Sequence, residues 1–120
     1  MSTLNEKVGS VDFDNIINDA NPPADVVHVQ LAAGSGILKR GTIVTGTPGG
    51  DMAPVAAALD SAKSTFVLAD DTDATATTVA AAYRTGHFNR NKLTTNGSYT
   101  LTAADEEILR NAGILLSDAI

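Results

Sequence analysis

Turn-forming residues punctuate this chain at intervals too short for long helices. Gly34-Ser35-Gly36, the run GTPGGDMAP at 46–54, the acidic Asp70-Asp71-Thr72-Asp73 and Asn96-Gly97-Ser98 each mark a reversal. Between them lie stretches that favour extended backbone: Val26–Leu31, Ile37-Leu38, Thr42–Val44, Thr65–Ala69 and residues 77–89. Val27, Val29 and Leu31 share one face, and Val79, Ala81 and Tyr83 alternate against Ala80, Ala82 and Arg84. Such residues at period two suit a pleated, half-covered surface. Strands this short, arriving about every ten residues, predict a mainly β single domain of the small-barrel kind. The alanine-rich stretch at 55–64 fits a short helix or an irregular connection.

One helix is well marked. Thr102 is placed to cap it, Asp105 follows three residues later as a capping-box variant, and Glu106 and Glu107 complement its positive end. Ile108, Leu109 and Ala112 form its buried stripe, Gly113 supplies the left-handed position after its last turn, and Ile114–Ser117 returns as a closing strand.

Residues 1–24 stand apart as a leader, because Asn21-Pro22-Pro23 interrupts any regular structure before the β-rich domain at 25–120. Within the leader, Phe13, Ile16, Ile17 and Ala20 follow the spacing of one helical face, with Asp and Asn on the others. A turn or two of helix is marginal alone in water. Its apolar stripe needs a cover, either the domain or a partner, and a polar leader ahead of a Pro-Pro hinge points to a partner.

The core available to 25–120 is thin. Alanines make up 19 of the 52 hydrophobic residues, the large aliphatics number 26, aromatics five, and tryptophan is absent. Burying a Leu or Val yields about 1.5–3 kcal/mol, and alanine far less. Small domains of this kind recruit disulfides, metals or neighbouring subunits. Cysteine is absent, which excludes disulfides, and His28 and His87 lie too far apart in sequence to suggest a zinc site. Self-association is the remaining staple.

Net charge is −6 with a pI near 4.5. That argues against nucleic acid as a general partner, since phosphates must be neutralised by basic side chains. No apolar run is long enough to span a membrane, and the first residues lack the basic-then-apolar order of a secretion signal. The protein is expected to be soluble and intracellular when made.

Several motifs carry a trace of chemistry and fit a plainer role better. Gly36 and Gly41 have phosphate-loop spacing, but Thr42 follows directly with no lysine, and the next residues favour strand rather than the helix such a loop must open. A strand-to-strand corner fits better, with Lys39 and Arg40 as solvated rim charges or partner contacts. Counting from Asp71, a calcium loop would need glycine where Ala76 stands and glutamate where Ala82 stands. Ser35 lacks the flanking pattern of a nucleophile elbow. His87 has Arg84, Arg90 and Lys92 around it and no acid between Ala74 and Ala104 to orient it. The basic 84–92 patch and the acidic 70–73 turn suit complementarity between subunits or with a protein partner. No cofactor, metal or small-molecule substrate is expected, and no catalytic set forms.

The order of features resembles the lambda-like phage head-decoration, or capsid-cement, proteins. The resemblance is carried by GILKRGTIV (36–44), APVAAAL (53–59), FVLADDTDATATTVAAAYRTGHFNRNKL (66–93) and LRNAGILLSDAI (109–120). It implies a tulip-like β domain that forms homotrimers at three-fold sites of an expanded icosahedral head. It also implies an extended N-terminal arm that engages the major capsid protein and holds the shell against internal DNA pressure. The chain would then sit on the outer surface of the virion, after synthesis in the host cytoplasm. Val11, Phe13, Ile16 and Ile17 are the expected arm anchors, alongside an added strand near Val11. Lys39, Arg40, Arg84, His87 and Arg90 are the candidate interface residues. Two rivals are a small trimeric β enzyme of nucleotide-hydrolase type, which would turn over nucleotides with magnesium, and a phage tail or assembly module, which would run as a ring or tube.

Overall fold

The computed structural model describes residues 17–19, 24–96 and 99–117. The described chain is mainly β. Strands β1 (Ile17–Asp19), β2 (Asp25–Leu31), β3 (Gly36–Leu38), β4 (Ile43–Gly46) and β5 (Ala53–Pro54) precede β6 (Ser64–Leu68), β7 (Thr72–Ala74) and β8 (Thr78–Asn89). A 3-10 turn at Arg90–Lys92, helix α1 (Ala103–Asn111) and strand β9 (Ile114–Ser117) complete it.

β8 is the strand on which the rest is assembled. Its first half pairs antiparallel with β2, from Leu31 opposite Thr78 to Val26 opposite Tyr83, and Val67 and Leu68 of β6 pair with Tyr83 and Ala82. Its second half pairs antiparallel with β1, and in parallel with β9 from Gly86 opposite Ile114 to Asn89 opposite Ser117. Asp25 pairs with Thr85 while Val26 pairs with Tyr83, so Arg84 is the extra residue of a bulge. The bulge shifts the alternation of side chains. Tyr83 and Phe88, which strict period two would send to opposite faces, meet in one cluster with ring centroids 5.4 Å apart.

Two cores form, one on each side of the central strands. Ile43 and Val44 are neighbours in β4 and enter opposite clusters, as do Val67 and Leu68 in β6. Covering both faces explains why these strands read as continuous apolar runs rather than strict alternations. The first cluster joins Ile43, Val67, Tyr83 and Phe88 to Leu109 of α1, Ile114 of β9, and Val55 and Leu59 from the connection after β5. That connection is irregular rather than helical. The second cluster gathers Val29, Leu31, Leu38, Val44, Met52 and Leu68 round the small side chains of Ala74, Ala80 and Ala82.

The path β2-β8-β6-β4-β5 rolls round this second cluster, and a parallel bridge from Leu31 to Met52 joins its two ends. Ala32 N–H donates to Met52 O at 2.9 Å and Met52 N–H to Gln30 O at 2.8 Å. One bridge fastens the roll; it is not a barrel closed by a full ladder. β3 and β7 form a separate two-stranded sheet beside it.

The corner at Gly36–Gly41 has strand on both sides, with Gly41 at φ +95°. α1 carries the capping box: Thr102 Oγ1 accepts from Asp105 N–H and the Asp105 carboxylate accepts from Thr102 N–H. Gly113 follows with φ +98°, and a Cβ there would sit 2.9 Å from Thr85 Cγ2. The helical spacing of Phe13, Ile16, Ile17 and Ala20 does not describe Ile17–Asp19. Those three residues are strand, with Ile17 opposite Phe88. A ready edge on β8 supplies backbone partners, and Ile17 packs half-buried against the first cluster. These gains outweigh the small preference of a short isolated helix.

Candidate docking surface

The residues singled out as arm anchors divide at the start of β1. Val11, Phe13 and Ile16 lie outside the described residues. Ile17 is placed, on the edge of β8.

The candidate interface cations are scattered, and most are engaged within the chain. Lys39 is exposed on the corner. Arg40 is half-buried, not a solvated rim charge: one Nη donates to Ala69 O at 2.8 Å and to Tyr83 Oη at 2.9 Å, with the guanidinium 5.5 Å from the centre of the Tyr83 ring. Its backbone N–H donates to Asp71 Oδ1 at 2.8 Å, which ties the corner to the acidic turn. Arg84, on the bulge, pairs with Asp25. Arg90 makes a fork-to-fork pair with Glu106 of α1, Nε to Oε2 at 2.9 Å and Nη2 to Oε1 at 2.7 Å. Two-point geometry of this kind fixes orientation as well as charge. His87, between Asp19 of β1 and Leu115 of β9, shares a 2.8 Å hydrogen bond between Nε2 and Ser117 Oγ.

The fold therefore brings His87, Arg90, β1, β9 and α1 to one end of β8, while Lys39 and Arg40 stand at a separate corner. In the acidic turn, Asp73 accepts from both the N–H and hydroxyl of Thr75, which lower its pKa. Asp71 is occupied by Arg40. Among the described residues no group of three or more His, Cys, Asp or Glu lies placed to hold a metal ion.

The most constrained ionisable group is Asp105, which its sequence spacing marks only as a helix cap. Asp105 is 1% exposed and ties three segments together. Oδ1 accepts from Leu59 N–H at 2.9 Å, and Oδ2 accepts from Thr102 N–H at 2.9 Å and from the Tyr99 hydroxyl. Burial pushes its pKa up. The bonds from Tyr99, Leu59 and Thr102 outweigh that and hold the carboxyl below the usual range. The same hydrogen bond holds the Tyr99 phenol above its ordinary value. The capping spacing was visible in sequence; the tie to Leu59, 46 positions away, had no local signal.

Two recesses mark the described surface. One, of about 540 Å³, has buried Ile43 in its wall with Leu93, Tyr99 and Leu101, and has Arg90 and Glu106 at its edge. The other, of about 680 Å³, lies between Ala32–Lys39, Ala53-Pro54 and Thr94–Asn96. Ile37, 75% exposed, stands at its lip. The family model of bacteriophage lambda head decoration protein D matches residues 5–114. This chain belongs to that family. No curated protein matches it. The match makes the chain a structural component of phage heads, associated with the capsid. Val26 and Val79, 50% and 62% exposed on β2 and β8, are with Ile37 the exposed large hydrophobic side chains among the described residues.

Proposed function

We propose that this chain is a non-enzymatic capsid cement that binds as a homotrimer at three-fold sites of the expanded phage head and stabilises the shell against internal DNA pressure. The family match carries this reading. It begins at residue 5, so the leader belongs to the shared pattern as much as the β domain does. The thin core, with alanines supplying much of the second cluster, favours association with further copies. Residues 1–24 act as the arm on the major capsid protein, with Val11, Phe13 and Ile16 as apolar anchors and Ile17 holding the arm to its own domain. The complex sits on the outside of the virion, reached from the host cytoplasm.

The mechanism needs no bond to be made or broken. Three arms on one trimer make the second and third contacts intramolecular, so weak individual contacts add to firm attachment. Binding the assembled shell and not its parts shifts the equilibrium toward the shell. The test mixes purified protein with empty expanded heads and measures co-sedimentation and the temperature at which heads rupture. Full-length protein is expected to sediment with heads and raise that temperature. Protein lacking residues 1–16, which keeps β1, is expected to remain folded and in the supernatant. Equal decoration by both forms refutes the role of the arm; no decoration by either refutes the proposal.

A further inference from the structure

Ile37 is the most exposed large hydrophobic side chain among the described residues. It stands on the two-stranded sheet of β3 and β7, directly opposite Asp73. Leu38, its neighbour in β3, turns inward to the second cluster, so Ile37 projects outward. Asp73 and Lys39, both exposed, flank it. The result is an apolar knob with an anion and a cation beside it.

The recess walled by Leu93, Tyr99 and Leu101 answers the knob on each count. Buried Ile43 forms part of its wall, and a volume of about 540 Å³ is ample for a branched aliphatic side chain. Its edge also holds one cation and one anion, Arg90 and Glu106. These two bind each other at 2.7 Å and are only half-buried, so the pair presents both signs to an arriving surface. Within one chain Ile37 lines the other recess and not this one, while Thr94 and Thr95 border both. Knob and recess thus occupy different parts of one surface, as a head-to-tail contact between identical copies requires. Such contacts close into a ring when the rotation between copies permits.

From this complementarity we infer that Ile37 of one copy seats in the Leu93–Tyr99–Leu101 recess of the next, with Lys39 against Glu106 and Asp73 against Arg90. The occupant of the recess is a second copy of this chain. The inference rests on the proposed homotrimer and names the two surfaces that join it. Each copy gives its knob to one neighbour and receives a knob from the other, so three copies close with no knob left bare. The opposed signs let chains of net charge −6 meet without like charges facing each other.

Cross-linking between singly substituted chains tests this, because the chain has no cysteine of its own. Lys39→Cys lies beside the knob and Thr100→Cys on the recess wall, both at exposed positions that leave Ile37, Leu93, Tyr99 and Leu101 in place. The two proteins, one isotopically labelled so that their masses differ, are mixed, bound to expanded heads and treated with a short thiol-to-thiol cross-linker. Mixed pairs should outnumber like pairs at least about tenfold, since seated surfaces hold the two thiols at high effective concentration. Ile37→Asp added to the Lys39→Cys chain should remove the excess, and Val79→Cys in place of Lys39→Cys should not produce it. Like pairs equal to mixed pairs, an excess that survives Ile37→Asp, or an equal excess with Val79→Cys would each overturn the assignment. Decorated heads that show no mixed excess reject this seat and leave the cement reading standing. Bare heads reject the cement reading, and the seat is then judged by the same ratio in concentrated free protein.

Discussion

Asp105 offers the sharpest test of how this thin-cored domain holds together. Replacing it with alanine strands the N–H of Leu59, which is itself only 8% exposed, with no acceptor and little access to water. A hydrogen bond to a charged group contributes about 1.5–3 kcal/mol, and leaving a buried donor unsatisfied costs about 1–3 kcal/mol. The other two donors, Thr102 N–H and the Tyr99 hydroxyl, lie nearer solvent and are re-satisfied more cheaply. Asp105→Ala should therefore cost about 2–4 kcal/mol, most of it from Leu59 and the lost cap. With a urea dependence of about 2 kcal/mol/M, the unfolding midpoint falls by about 1–2 M. Asp105→Asn keeps an acceptor for Leu59 and should cost about half as much.

The acid limb carries a second signature. The folded pKa of Asp105 is depressed, so its contribution is present above the unfolded value of about 3.9 and is lost as pH falls toward the folded value. The stability gap between the parent and Asp105→Asn should thus narrow as pH drops below about 4. Urea melts by circular dichroism at pH 7 and pH 3 measure both effects. A midpoint for Asp105→Ala within about 0.2 M of the parent, or a gap that widens in acid, refutes the reasoning.

Two further substitutions separate backbone demand from surface charge. Gly113→Ala forces a left-handed residue to carry a Cβ, at a cost of about 1–2 kcal/mol. The 2.9 Å approach to Thr85 Cγ2 adds to this, so the thermal midpoint should drop by several degrees; an unchanged midpoint would deny the left-handed turn. Arg84→Ala breaks a pair whose side chains are 61% and 43% exposed. Its cost should stay below about 1 kcal/mol, and a larger loss in the same melt would mean that the bulge depends on that pair.

Much of the fold was legible because its signals are local. The end points of α1 follow from Thr102, Asp105 and Gly113, and the strands follow from β-branched runs between turn residues. What escaped is what depends on partners distant in the chain. Ile17 has the spacing of a helix and the neighbours of a strand, and the open edge of β8 decides between them. Arg40 reads as a rim charge until folding brings Tyr83 and Ala69 O beside it. The single bridge from Leu31 to Met52 has no sequence signature. The internal partners of the candidate surface cations had no local signal either, since Arg84 meets Asp25 and Arg90 meets Glu106 only in the folded chain.

The position of β8 has a consequence for how the molecule comes apart. One strand supplies Ala80 and Ala82 to one core and Tyr83 and Phe88 to the other, while β2, β6, β1 and β9 all take their register from it. Neither half can melt and leave its companion intact, because each loss strips neighbours from the shared strand. The domain should therefore unfold as a single cooperative unit with one transition, and partly opened forms that proteases could cut should be scarce.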